Sequence, residues 1–331
     1  MRCAVIGAGA WGTALADLLA RNGHDVRLWA FEPDVVRSLR ETHQNPVFLP
    51  GFTIERSIVV TGDHREALEG SAIVVYATPS QHLRRVARAG REFVREDAVL
   101  AVASKGIEEG TLALMSDVVC EEVAGRAAVA ISGPSFAAEV AAHQPTAIVA
   151  ASTDAEAAKL AQDALSGASF RVYTHNDLIG VELGGALKNV MAVATGIVEG
   201  LGLGNNSRAA LITRGLAEMT RLGVAIGAHQ ATFAGLAGIG DLVLTCTGAL
   251  SRNRAVGVEI GKGKTLEQSL AGKPTVAEGV VTTRSALALA QREGVEMPIA
   301  ETVYRVLFEG YPARQAIPEL MERGLRAEQD A

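Results

Sequence analysis

Lys188 and Asn189 stand in the middle of GGALKNVMAVATGIVEGLG, Gly184 to Gly202, a run that is otherwise mostly small and apolar. An isolated ammonium in such a setting is costly, so it finds a partner or lowers its pKa. Asp241, inside GLAGIGDLVLTCTGAL, has the mirror-image problem and is the obvious partner. A buried pair of this kind reads functionally as a polar site offered to a ligand. A purely structural ion pair is the competing reading. Ser251-Arg252-Asn253 precedes the helical pattern RAVGVEIGKG. Backbone N–H groups, a helix dipole and a guanidinium fork would together suit a phosphate or carboxylate, whereas Ser251 alone reads as an ordinary N-cap. Val276 and Glu278 lie near another helix start, where Glu278 is either a solvated first-turn acid or a ligand contact.

A second group of residues sits at the other end of the chain. VIGAGAWG gives Gly7-x-Gly9-x-x-Gly12 directly after a strand pattern and directly before the helical pattern TALADLLARNG. In that context the first glycine makes a tight turn, the second lets backbone approach a pyrophosphate, and the third lets helix pack on strand. The second strand pattern ends LWAFEPD, placing Glu32 about 20 residues beyond the fingerprint, where an acid takes a ribose 2′-OH. Glu32 also reads as a helix-start acid, so the choice between NAD and NADP stays open. Three loops follow buried-strand patterns: Thr78-Pro79-Ser80, Ser104-Lys105-Gly106 and Gly133-Pro134-Ser135-Phe136-Ala137. In an open parallel sheet all three would face the crevice outside the carboxyl ends of the strands. Taken singly, Lys105 is equally a solvated loop lysine, and Gly133-Pro134-Ser135 is first a turn and cap.

The elements that must position these residues change character along the chain. Up to about residue 175, runs such as CAVIG, DVRLWA, AIVVYA, AVLAVA, AVAIS, TAIVAAS and FRVYT alternate with amphipathic helical patterns. That alternation predicts an α/β unit with a parallel, doubly wound Rossmann-type sheet and helices on both faces. Beyond it the apolar spacing is helical, with Leu183, Leu187, Val190, Met191, Ala194, Ile197 and Val198 on one stripe. The expectation is a dinucleotide-binding domain over 1–176 and an all-helical substrate domain over 177–325.

The composition narrows the classes. A chain of 331 residues, 48% hydrophobic and 21% charged, can bury a substantial core. Its net charge of −6 argues against a nucleic-acid binder but leaves room for a local basic pocket. Cys3, Cys120 and Cys246 are scattered, with no CxxC and no zinc spacing, and read as reduced thiols of a cytoplasmic protein. No metal site is expected. The apolar N-terminus is interrupted by the fingerprint glycines and is not read as an export signal. Leu222 to Gly240 carries no formal charge, yet His229, Gln230, Thr232 and repeated glycines make it a poor membrane span.

The motifs GAGAWGTALA, SKGIEEG, SGPSFAAEVA, ELGGALKNVMAVATGI, GLAGIGDLVLTCTGALSRNR and TVAEGVVTT, in this order from about residue 2 to 310, resemble the bacterial NAD(P)-dependent glycerol-3-phosphate dehydrogenases. The resemblance implies interconversion of dihydroxyacetone phosphate and sn-glycerol 3-phosphate, feeding phospholipid synthesis. It implies that Lys188 is the catalytic proton donor and acceptor, and that Lys105 touches both cofactor and substrate. It implies substrate contacts from Gly133, Ser135, Asp241, Ser251, Arg252 and Asn253, and cofactor contacts from Gly7, Gly9, Trp11, Gly12, Ala137, Arg252, Val276 and Glu278. Phe31 stands where many family members carry a basic residue or histidine that supports NADPH, which moves the balance toward NAD. The expected partners are a small phosphorylated substrate and, at most, a second copy of the chain in a homodimer, with no nucleic acid and no membrane span. A related 3-hydroxyacid dehydrogenase and a non-catalytic dinucleotide-binding redox sensor are the alternatives.

Overall fold

The computed structural model describes residues 1–272 and 277–322. They form two compact units, one from Met1–Lys105 with Ala113–Glu182, the other from Gly106–Leu112 with Leu183 onward.

The first unit is built on an eight-stranded sheet. Its strands are β1 (Arg2–Ile6), β2 (Asp25–Trp29), β3 (Val59–Thr61), β4 (Ile73–Tyr76), β5 (Val99–Val102), β6 (Ala128–Ser132), β7 (Thr146–Ala151) and β8 (Phe170–His175). Their order across the sheet is β8-β7-β6-β5-β4-β1-β2-β3. The register pairs Ile6 with Trp29 on one side and with Tyr76 on the other. The carboxyl ends of β1, β2 and β4 are therefore level, and the loops that follow them share one edge. Side chains alternate between faces as the pleat requires. Cys3 and Val5 pack with Leu15 and Leu19 of helix α1 (Ala10–Arg21), while Ala4 and Ile6 pack with Leu83 and Val118. Both faces are covered, which is why β4 and β5 read as unbroken apolar runs.

The sheet departs from the all-parallel expectation at one edge. β7 pairs antiparallel with β6, and β8 pairs parallel with β7, so these two strands run against the rest. The reason is local. The only helix between β6 and β7 is the five-residue Ala137–Ala141, too short to cross the sheet and return in parallel. The eleven-residue helix Ala155–Leu165 between β7 and β8 does make that crossover. β3, only three residues long, and the small hairpin Gln44–Asn45/Leu49–Thr53 carry too few residues to show a period in the sequence.

The second unit is helical in its described residues from Leu183 onward, while Gly106–Leu112 adds a segment without a helix. Helix α2 (Leu178–Gly200) starts in the last residues of the first unit and runs into α3 (Asn205–Ala225). A π-helical turn at Leu236–Gly240 leads into α4 (Asp241–Thr247), followed by α5 (Arg252–Gly261), α6 (Glu278–Arg292), α7 (Pro298–Phe308) and α8 (Ala313–Met321). The apolar spacing of α2 predicts a one-sided stripe, but the helix is buried all round from Gly180 to Val198. Glycines on α2 and α5 make this possible. A Cβ at Gly196 would lie 2.1 Å from the carbonyl of Arg254, and one at Gly257 would lie 2.1 Å from that of Val193. The two helices thus touch backbone to backbone. α2 is the one described helix long and apolar enough to cross a membrane, and it is buried inside the protein. Leu222–Gly240 is not a continuous helix: α3 ends at Ala225, and a 3-10 turn and the π turn follow.

Candidate active site

At the edge where β1, β2 and β4 end, the three fingerprint glycines have different reasons to be glycine. Gly7 has φ +118, and a Cβ there would meet the carbonyl of Ala77 at 2.8 Å. A Cβ on Gly12 would be 1.8 Å from the carbonyl of Gly7. Both are demanded by the protein's own packing. Gly9 is not: its φ is −66, and a Cβ there would meet nothing within 4 Å. Gly9 is the N-cap of α1 and has no side chain to cap it, so the first-turn N–H groups are left for an anion. Among the described residues, the buried indole N–H of Trp11 on the same turn has no acceptor, and the buried hydroxyl of Thr78 beside Gly7 likewise lacks a partner. Open space over Gly9, orphaned donors and a helix N-terminus fit a dinucleotide pyrophosphate.

The loops after β4, β5 and β6 are tied together within this unit. Ser104 donates its hydroxyl to the carbonyl of Thr78 at 2.6 Å, and Lys105 donates to the carbonyl of Gly133 at 3.5 Å. Ser135 donates to the same Gly133 carbonyl at 3.0 Å. Gly133 has φ +140, and a Cβ there would press on Ile148 at 2.9 Å, so the turn is closed to other residues. Lys105, Gly133 and Ser135 are thereby gathered at one point, and Ala137 opens the short helix just beyond it. Phe31 and Glu32 follow β2: the ring is exposed, and Glu32 is the N-cap residue of helix Pro33–Thr42.

In the second unit, Lys188 of α2 and Asp241 of α4 meet. The ammonium donates directly to Oδ1 of Asp241, with both residues buried. Thr245, one turn further along α4, donates to the Asp241 backbone carbonyl at 2.7 Å and lies 3.4 Å from Oδ1. Close packing at Gly184 sets this up, since a Cβ there would lie 2.5 Å from the carbonyl of Ala237 in the π turn just before Asp241. The space beside Gly184 is thus taken by this unit's own backbone. Asn253 donates to Asn189 Oδ1 at 2.9 Å and accepts the Gly279 N–H at 2.9 Å. One amide side chain thus joins α2, α5 and α6. Ser251 is an N-cap after all, accepting from the Arg254 N–H at 3.2 Å. Arg252 forms no hydrogen bond or ion pair among the described residues. Surrounding protein lowers its pKa, and the Glu278 carboxylate raises it. Burial pushes the Cys246 thiol up to about 12, so it is held as a neutral core thiol behind the pair.

The geometry therefore brings Lys188 to Asp241, Asn253 to Asn189 and to the start of α6 beside Glu278, and Lys105 and Ser135 to the carbonyl of Gly133. Val276 lies outside the described residues. Thr245 and the partnership of Asn189 were not assigned from sequence. The i, i+4 spacing of Asp241 and Thr245 on one helix carries the first, and a buried amide adjacent to Lys188 carries the second. Among the described residues no group of three or more His, Cys, Asp or Glu side chains could hold a metal ion.

Comparison with known proteins decides between the branches this architecture serves. Residues 2–158 match the family model for the NAD-dependent glycerol-3-phosphate dehydrogenase N-terminus, and residues 177–318 match that for its C-terminus. The chain belongs to the NAD-dependent glycerol-3-phosphate dehydrogenase family. Within the family it is 54% identical to the glycerol-3-phosphate dehydrogenase [NAD(P)+] of Geobacter sp. (strain M21), covering 99% of this chain and 98% of the relative. It is 55% identical to the enzyme of that name from Geobacter sulfurreducens, covering 99% and 98%. The crystal structure of glycerol-3-phosphate dehydrogenase from Coxiella burnetii matches with a TM-score of 0.94 at 42% identity, over 97% of this chain and 99% of that one. Membership in this family makes the chain an NAD(P)-dependent oxidoreductase, and both readings set against it, hydroxyacid dehydrogenase and redox sensor, give way.

Proposed function

We infer that this chain interconverts dihydroxyacetone phosphate and sn-glycerol 3-phosphate by hydride transfer with NAD or NADP, supplying glycerophospholipid synthesis. The observation that carries the reading is the buried Lys188–Asp241 pair, a charge placed at cost inside an apolar unit of a glycerol-3-phosphate dehydrogenase fold. When bound, the nicotinamide supplies or takes the hydride at the substrate carbon. Lys188 stabilises negative charge at the oxygen and gives it a proton on reduction, then takes the proton back on oxidation. Asp241 holds the ammonium in place and favours its charged form, and Thr245 fixes Asp241. Arg252, uncommitted at the start of α5, is assigned to the phosphate together with Ser251 and Asn253. Lys105, Gly133 and Ser135 are assigned to substrate, with Lys105 also touching cofactor. Gly7, Gly9, Gly12, Trp11, Phe31, Ala137 and Glu278 are assigned to the dinucleotide. Three cysteines without a disulfide support a reducing, cytoplasmic setting.

The test is steady-state reduction of dihydroxyacetone phosphate with NADH and NADPH in parallel, beside a panel of ketoacids. Oxidation of either nucleotide that depends on the triose phosphate is the expected result. Preference for a carboxylate substrate, or no turnover at all, would refute the reading.

A further inference from the structure

Beyond the end of β2 the chain sets an exposed ring on a buried aromatic footing. Trp29 is buried, donates its indole N–H to the carbonyl of Gly62 at 3.0 Å and stacks on His64 at 4.5 Å and 20°. Phe31 meets Trp29 at 6.3 Å and 53°, yet is itself 66% exposed. The guanidinium of Arg85 lies 5.9 Å from the Phe31 ring centroid. Arg85 is carried by helix Leu83–Gly90, which follows β4 through a single 3-10 turn. Arg84 and Arg88 on the same helix are both committed to Glu122, at 3.0 and 2.8 Å. Arg37, on the helix after β2, is paired with Asp34 at 3.1 Å. Arg85 makes no ion pair among the described residues.

We propose that Arg85 is the cofactor-selectivity residue of this enzyme, binding the 2′-phosphate of NADPH while Phe31 supports the adenosine. In a sheet of this topology the adenosine ribose reaches the end of β2. The residues offered there by β2 itself are Phe31, which has no charge, and Glu32, whose carboxylate repels a 2′-phosphate. A cation must come from another segment if NADPH is to be used at all. Arg85 is in place to supply it. A guanidinium resting near a ring is partly ordered before it meets a ligand, and its planar fork matches a phosphate better than an ammonium does. Its exposure suits a ligand arriving from solvent, and its neighbours on the helix show that an arginine needed for structure there is bonded to Glu122. Glu32 and Arg85 thus oppose one another across the same ribose, so both nucleotides are accepted and the balance between them is set by two side chains. This rests on the dinucleotide-binding reading of the first unit.

Dissociation constants of NADPH and NADH, read from quenching of tryptophan fluorescence, test it in wild type, Arg85→Ala and Arg85→Lys. Adenosine 2′,5′-bisphosphate and AMP serve as competing probes of the same subsite. Loss of a charge-assisted phosphate contact should raise the NADPH-to-NADH ratio of dissociation constants about tenfold or more in Arg85→Ala. Arg85→Lys should recover part of it, and the bisphosphate should lose its advantage over AMP in Arg85→Ala alone. An unchanged ratio overturns the proposal, whether both constants rise together, which would make Arg85 an adenine contact, or neither moves. Wild type that binds NADH but not NADPH overturns it too. Wild type that binds neither nucleotide would instead remove the dinucleotide-binding reading on which it stands.

Discussion

At Gly9 the protein contributes an absence, and at Lys188 it contributes a charge. A Cβ on Gly9 would meet nothing within 4 Å, so the nucleotide end of the first unit is shaped by space, orphaned N–H groups and a helix terminus. The second unit is shaped by side chains buried at a cost and repaid by specific partners: Lys188 with Asp241, Asn253 with Asn189 and Gly279. Under the proposed function the two solutions suit two ligands. A dinucleotide is long and is gripped through its backbone-like phosphates, whereas a triose phosphate is small and must be oriented at each polar atom while a proton moves. The difference also separates two kinds of fragility. Substitutions in the first region act through shape, and those in the second act through uncompensated charge.

The largest effect should come from breaking the charged pair. Lys188→Met is expected to lower kcat by on the order of 10²–10⁴, with the NADH dissociation constant nearly unchanged. It also strands Asp241 in a buried site, a loss of about 3–5 kcal/mol if the carboxylate stays charged. The double variant Lys188→Met/Asp241→Leu separates the two contributions. It should regain most of the stability in a urea titration and none of the turnover. Recovery of turnover in the double variant would make the pair structural and take Lys188 out of the chemistry.

Next in size is the contrast between glycines of one fingerprint. Gly12→Ala forces a Cβ to within 1.8 Å of the Gly7 carbonyl, so helix and strand must part. An overpacking cost of about 1–3 kcal/mol or more follows, read as a lowered melting temperature even without ligand. Gly9→Ala should leave the melting temperature of the apo protein where it is and weaken nucleotide binding. If both variants melt normally, the close helix–strand packing is not what Gly12 is for. If Gly9→Ala binds nucleotide as wild type does, the pyrophosphate does not lie over Gly9.

What was legible in the sequence follows the same division. Gly7, Gly9 and Gly12 lie within six residues of each other between a strand and a helix, so their meaning is local and readable. The pairing of Lys188 with Asp241 links segments 53 residues apart, and it was readable only because each charge sits in an apolar run that cannot leave it unpaired. Asn189 and Thr245 carry no charge and so gave no such alarm, although each holds part of the cluster together. The reversed strands β7 and β8 were not legible because apolar strand runs look alike in either direction. The all-round burial of α2 was hidden for a related reason. Its stripe is real, but Gly196 and Gly200 let α5 cover a side that spacing alone assigns to a less apolar face.

Glu182 gives the comparison its finest test, because it is a buried carboxyl with no cation paired to it among the described residues. Its oxygens accept from the Ser116 N–H at 2.7 Å and from the Ser116 hydroxyl, where Asp241 has Lys188. Burial raises its pKa from 4.5 to about 7, the Ser116 hydrogen bonds lower it, and the nearby Asp117 carboxylate raises it again. The folded state therefore binds more protons than the unfolded state between pH 4.5 and about 7. With that sign, stability falls as pH rises through this window, by at most about 1.4 kcal/mol per pH unit for one group. Asp117, exposed and also raised, acts in the same direction and leaves a residual slope. Glu182→Gln keeps an acceptor for the Ser116 N–H and removes the titration. It should flatten the decline in urea midpoint between about pH 5 and about pH 7 and raise the midpoint at the upper end. A slope that survives the substitution intact would mean that two hydrogen bonds alone keep a buried carboxylate ionised, and that Asp241 has no need of Lys188 to do the same.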